Sequence, residues 1–334
     1  MKKKKILMLT TGGTIASGPT ENGLTPVLSP SDLRGYITEF KDVCELESQA
    51  LCSLDSTNIT PQHWLMIARA VHDNYEKYDA FLICHGTDTM AYTAAALSYL
   101  IQNADKPILI TGAQRSILQE ITDAKKNLRD SILFALDERT RGVNLVFDGK
   151  LIAGTRAKKT STFSYNAFSS INFPALAQVQ NDRIIYYVAP CPPCGKLKFY
   201  DQLNTNIFLL KLTPGISPEI IPLIVKLYDC IVVESFGVGG LPDSILDTLC
   251  SEMARYEPHK KVLVITTQVT YEGSAVDTYE VGRRVRNRVR FLETRDLTLE
   301  AAYTKLMWIL GKGVSSWEEL ETTFYSPINY DIAF

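Results

Sequence analysis

Thr14, the adjacent pair Thr87 and Asp88, and Lys159 are polar residues of the types that acyl transfer uses. A threonine hydroxyl is a weak nucleophile until a base takes its proton. No histidine is paired to act as that base. His85 has no evident acidic partner, and the other three histidines fall in helical or loop contexts. A lysine acts as a base when desolvation disfavours its charged form, an effect of up to roughly 3–5 pKa units. Asp88 would then hold that lysine and balance its charge, or anchor a substrate ammonium group. Each residue taken alone also suits a plainer role. Thr14 fits a turn, Thr87 or Asp88 a helix cap, and Lys159 a solvated surface.

The elements around them are legible as α/β. Residues 80–84 (AFLIC) form an apolar run bounded by polar residues, as a buried parallel strand would, and residues 90–101 (MAYTAAALSYLI) read as a mostly apolar helix. Thr87 and Asp88 therefore stand where a strand ends and a helix begins, the place where open α/β sheets bind ligands. Residues 6–9 form a first strand running into Gly12-Gly13-Thr14. Paired glycines let the chain turn sharply and approach a ligand closely. They fall short of a dinucleotide fingerprint, which needs a third glycine. Residues 17–23, polar and rich in breakers, read as a loop suited to closing over a nucleophile.

Residues 55–58 (Asp-Ser-Thr-Asn) precede Thr60-Pro61, a cap and first-turn proline that start a helix to about Tyr75. Ser56, Thr57 and Asn58 can cradle a carboxylate or can serve turn and capping chemistry. Residues 107–111 are another apolar strand, ending in Gly112-Ala113-Gln114-Arg115. An amphipathic helix spans 123–136, and Asp148-Gly149 reads as the turn of a hairpin. In the extended segment that follows, alternation puts Lys158 and Lys159 on opposite faces, so one of them can point inward.

A chain of 334 residues suggests two domains at about 150 residues each. Residues 190–206, with Pro190, Pro192 and Pro193, read as the linker between domains at 1–189 and 207–334. In the second half the strands 207–212, 230–233 and 262–266 alternate with helices, which implies a smaller parallel sheet. A net charge of −2 argues against nucleic-acid binding driven by bulk charge. The arginines between 283 and 290 alternate with valines and read as a solvated strand or a subunit contact. Apolar runs are far shorter than the ~20 residues that span a bilayer. The four-residue apolar run after Lys2–Lys5 is too short for a signal peptide. Seven scattered cysteines, Cys191 and Cys194 among them, fit free thiols in a cytoplasmic protein.

TTGGTIA at residues 10–16, HGTDTM at 85–90 and the Lys159 region together resemble the bacterial-type L-asparaginases, most of all the cytoplasmic type I branch. The resemblance runs over nearly the whole chain. It implies a two-domain α/β fold: a larger, mostly parallel, doubly wound sheet and a smaller α/β domain. It implies hydrolysis of L-asparagine to aspartate and ammonia in a homodimer or homotetramer, without metal or organic cofactor. By the same resemblance Thr14 is the nucleophile that forms an acyl-enzyme. Thr87, Asp88 and Lys159 assist proton transfer, Asp88 also binds the substrate α-amino group, and Ser56 and Thr57 hold its α-carboxylate. The chain departs from the family at Leu24, where many members carry a loop tyrosine, and at Asn58, where an aspartate is common. Glu234 and Val269 replace the arginine and cysteine of a regulatory asparagine site found in some members, so that regulation is not expected.

Three other readings stand beside this one. Glutaminase or mixed activity differs by one methylene of substrate, worth about 1–3 kcal/mol. The amidase subunit of a tRNA-dependent amidotransferase would be expected to carry a further domain before TGGTI. A catalytically silent amino-acid-binding protein would need neither the nucleophile nor the lysine.

Overall fold

The computed structural model describes residues 3–20, 23–193, 195–278 and 280–333, divided between two compact units, Met1–Asp201 and Gln202–Phe334. The strands of the first unit's large sheet are β1 (Lys4–Gly12), β2 (Cys44–Leu54), β3 (Ala80–Cys84), β4 (Pro107–Thr111), β5 (Gly142–Phe147), β6 (Lys150–Ala153), β7 (Ala177–Gln180) and β8 (Arg183–Tyr186). Among the described residues they pair in the order β8-β7-β6-β5-β4-β3-β1-β2. From β5 to β2 every pairing is parallel, and from β5 outward to β8 every pairing is antiparallel.

The parallel part thus has the order 2-1-3-4-5. Its connections reverse direction between β1 and β3, and open sheets bind ligands outside the carboxyl ends of the strands at such a point. Residues at every position of β3 and β4 are buried, which explains their unbroken apolar sequences. Helix α1 (Pro61–Asn74) begins at a Thr60 capping box with His63. Helix α2 (Met90–Leu100) is buried on nearly all sides, as a helix apolar all round must be. Helix α3 (Ala124–Leu136) follows β4.

The Asp148-Gly149 turn joins β5 to β6 as a two-residue hairpin, with φ of 49° and 78°. Both values are positive, as the tight turn matching strand twist requires. One element differs from expectation. Residues 17–20 and 23–26 form a two-stranded antiparallel ribbon rather than a loop. Its base is closed by the amides of Val27 and Leu28, which both donate to the Ala16 carbonyl. The longest strand, β2, carries exposed Glu45, Glu47 and Gln49 on an edge, so it lacks the apolar run of a central strand. Its period-two alternation is the signal that marks it.

The second unit holds β9 (Ile207–Lys211), β10 (Cys230–Ser235), β11 (Val262–Thr267) and β12 (Leu292–Glu293), parallel and in chain order. Helices α4 (Ile220–Leu227) and α5 (Asp243–Met253) connect the first three, and Ile221, Ile245, Val233 and Ile265 share their core. The expected two-domain α/β architecture is therefore present. The arginine-rich segment is a correction: Glu280–Arg286 is helical, not extended. Val285 and Val289, four residues apart, both pack on the core, so a helical period served the burial better than alternation did.

Candidate active site

Thr14 opens a single 3₁₀ turn, Thr14–Ala16, directly after β1. The register of β1 on β2 shifts between Thr10 and Gly12, a bulge that bends the strand end. Gly12 and Gly13 follow at φ of 100° and 83°, a region that side-chain-bearing residues avoid. Space adds a second demand. A Cβ on Gly13 would lie 2.5 Å from both the N and Cα of Gly86. The turn carrying Thr14 is thus pressed against the backbone just before Thr87. On its other sides Gly13 N donates to the Leu54 carbonyl and Ile117 N to the Ile15 carbonyl. Among the described residues the Thr14 hydroxyl makes no hydrogen bond.

Thr87 and Asp88 follow β3 as expected, and Lys159 reaches them from more than seventy residues away. Its Nζ donates to Thr87 Oγ1 at 2.8 Å and to Asp88 Oδ1 at 2.6 Å. The lysine ends a short strand, Ala157–Lys159, that pairs with Phe168–Ser170. Buried Phe168 packs at a tilt against Phe147 of β5 with ring centroids 4.9 Å apart, and the Arg156 carbonyl accepts from Ile171 N. Those contacts fix the ribbon on the sheet and aim Lys159 at the strand ends. Thr87 is buried, whereas the Asp88 side chain is about half exposed.

Ser56 Oγ accepts a hydrogen bond from Asp88 N at 3.2 Å, and the Ser56 carbonyl accepts from Thr89 Oγ1 at 2.8 Å. Its own hydroxyl proton is thereby left to donate elsewhere. Thr57 is engaged differently: its hydroxyl and its amide both donate to Asp55 Oδ1 at 2.8 Å. Asn58 is exposed, and among the described residues its side chain makes no hydrogen bond. The structure therefore brings Thr14, Thr87, Asp88, Lys159 and Ser56 to the carboxyl ends of β1 and β3. It leaves the Thr57 hydroxyl and the Asn58 side chain unconnected to that group. Leu24 lies in the ribbon, but the side chains of residues 19–26 are outside those described.

His85 is fully buried beside the site. Nδ1 lies 2.7 Å from the Gly86 carbonyl, which only accepts, so Nδ1 carries the proton. Nε2 accepts from Thr93 Oγ1 at 3.0 Å, and Trp64 Nε1 donates to the same oxygen at 3.0 Å. Complete burial pushes its pKa down to about 4, against the raising effect of the Gly86 carbonyl and with a further lowering by His63. Gln114 stands out in the sequence only as part of a strand end. In the fold its Oε1 accepts from Thr87 Oγ1 at 3.2 Å. No local pattern could have announced that bond, because it joins the ends of two strands.

Among known proteins, the family described as "Asparaginase, N-terminal" matches residues 5–191, and "Glutaminase/Asparaginase C-terminal domain" matches residues 206–324. An L-asparaginase of Thermococcus kodakarensis is 40% identical over 313 residues, which is 92% of this chain and 93% of the relative. A subunit of the glutamyl-tRNA(Gln) amidotransferase of Methanosphaera stadtmanae is 34% identical, over 93% of this chain and 73% of the relative. The structure of the thermostable L-asparaginase from Thermococcus kodakarensis is similar with a TM-score of 0.91 at 37% identity, over 99% of each chain.

Proposed function

The chain belongs to the asparaginase family, and from that premise we propose that it hydrolyses L-asparagine to aspartate and ammonia with Thr14 as nucleophile. The observation that carries the assignment is the convergence of Lys159 on Thr87 and Asp88, beside the glycine turn that presents Thr14. Thr14 Oγ attacks the side-chain amide carbon and its proton passes to the Thr87–Lys159 pair. Ammonia leaves with a proton returned from that pair, and an aspartyl ester remains on Thr14. Water then adds to the ester, giving up a proton to the same pair, and that proton returns to Thr14 Oγ as the ester C–O bond breaks and aspartate departs. A positioned proton-transfer group of this kind contributes about 10²–10⁴ in rate.

The substrate's charges find complementary groups. Lys159 occupies Oδ1 of Asp88, and among the described residues Oδ2 takes no hydrogen bond, so it is available to an α-ammonium group. The Ser56 hydroxyl proton, spared by the bond from Asp88 N, is available to an α-carboxylate. Thr57 and Asn58 would join only after releasing or turning their present arrangement. Part of the same proposal is a cytoplasmic homodimer or homotetramer. The free state of the six described cysteines supports a reducing compartment. Exposed Leu118, Ile121 and Phe163 on the first unit support association.

Ammonia release from L-asparagine and L-glutamine, side by side, tests the assignment. Wild type should turn over asparagine, and Thr14→Ala should lose roughly 10³-fold or more. Comparable rates on glutamine would broaden the substrate to both amides. A folded wild type that releases no ammonia from either would overturn the proposal and favour a binding protein or an amidotransferase subunit.

A further inference from the structure

We propose that Gln114 is a positioning residue: it sets the direction of the Thr87 hydroxyl and ties it to the ribbon that carries Lys159. The inference rests on the asparaginase reading above. The Gln114 side chain bridges three segments. Its Nε2 donates to the carbonyls of Thr162 at 2.8 Å and Ser164 at 3.2 Å, just beyond the Lys159 strand. Carbonyl oxygens only accept, so the NH₂ end of the amide must face them. Oε1 is then turned toward Thr87, and the Thr87 hydroxyl proton must point at it.

That orientation leaves a lone pair of Thr87 Oγ1 aimed at Lys159 Nζ, 2.8 Å away. The backbone of Gln114 is itself held. Asp123 accepts from Gln114 N at 2.8 Å and from Arg115 N at 3.0 Å. Fully buried Asn127 donates to Asp123 at 3.2 Å and to the Gly112 carbonyl at 3.0 Å. A rigid turn thus presents one amide whose two ends grip different parts of the proton-transfer group. Between the two gripped carbonyls lies Phe163, 92% exposed, a reporter of that grip.

The test compares wild type, Gln114→Met, Thr87→Ser and the double variant in kcat and KM for L-asparagine. Gln114→Met keeps volume but removes both ends of the bridge. It should lower kcat about tenfold with KM within about twofold, because misplacing a reacting group is felt in the chemical step. In the Thr87→Ser background the same change should lower kcat by a factor about threefold larger, since serine lacks the methyl that stiffens χ1. A Gln114→Met kcat within about twofold of wild type, or equal factors in both backgrounds, overturns the proposal. Native-state chymotrypsin supplies a second readout that needs no turnover. Cleavage after Phe163 should quicken about fivefold in Gln114→Met as the local opening equilibrium shifts, and unchanged cleavage also counts against the tie. If wild type releases no ammonia, the functional assignment fails separately and the digestion alone judges the bridge.

Discussion

At the scale of the residue, the site separates two kinds of polar group that look alike in sequence. His85 and Thr87 stand two apart after the same strand and both are buried. His85 has each ring nitrogen satisfied by a neutral partner, so burial keeps it uncharged. Thr87 instead faces a lysine and an amide that together set where its proton lies. The histidine's lowered pKa has a consequence for stability. The unfolded chain takes up a proton near pH 6.5 while the folded chain does so only near pH 4, so stability is fully present above about 6.5 and is lost as pH falls toward 4. The full effect is roughly 3 kcal/mol. Denaturant titrations at pH 7.5 and pH 5 should show wild type losing more stability on acidification than His85→Gln, and equal losses would exclude this source.

At the scale of the element, the site is made by strand ends and the turns that follow them. Gly13 is a tight point: with φ of 83° and an added Cβ only 2.5 Å from the Gly86 backbone, there is no place for a methyl group. A Gly13→Ala variant must either push the two strand ends apart or strain the turn. It should lose about 2–4 kcal/mol of stability and most of its turnover, because Thr14 and Thr87 would no longer adjoin. Thermal melting and ammonia release read both. A Gly35→Ala control, at a position where an added Cβ meets nothing within 4 Å, should melt with wild type. The ribbon at residues 17–26 is legible in hindsight only in part. Its glycines and prolines announced a break in regular structure, but pairing between Ser17–Thr20 and Gly23–Pro26 depends on the clamp of Val27 and Leu28 on Ala16.

At the scale of the whole molecule, charge is arranged to cancel rather than to attract a polyanion. Arg284 pairs with Asp243 at 2.7 Å, Arg286 with Asp277 at 2.8 Å and Arg290 with Glu318 at 3.0 Å, while Arg288 bonds Asp247. Four arginines of the basic cluster that stands out in the sequence are therefore paired with carboxylates on the surface. Nucleic-acid binding at low salt should be undetectable by gel shift or fluorescence anisotropy. Salt-sensitive binding would show that these pairs open for a ligand. Among the described residues no helix is long and apolar enough to cross a membrane.

Composition, apolar runs and capping residues by themselves determined many of the elements: the buried strands β3 and β4, the hairpin at Asp148-Gly149, and helices beginning at Pro61 and Ala124. Those are local choices, set by periodicity and turn chemistry within a few residues. The positions of Thr14, Thr87 and Asp88 at strand ends were legible for the same reason. Only the tertiary structure decided which side chains meet. The reversal between β1 and β3 brings Thr14 beside Thr87, the Phe168–Phe147 contact aims Lys159 at them, and Gln114 joins Thr87 to the segment just beyond Lys159. Tertiary packing also turned the arginine segment into a helix. Such outcomes follow from sheet order, register and the space left between glycines, which are set by contacts between residues far apart in the chain and have no local signature.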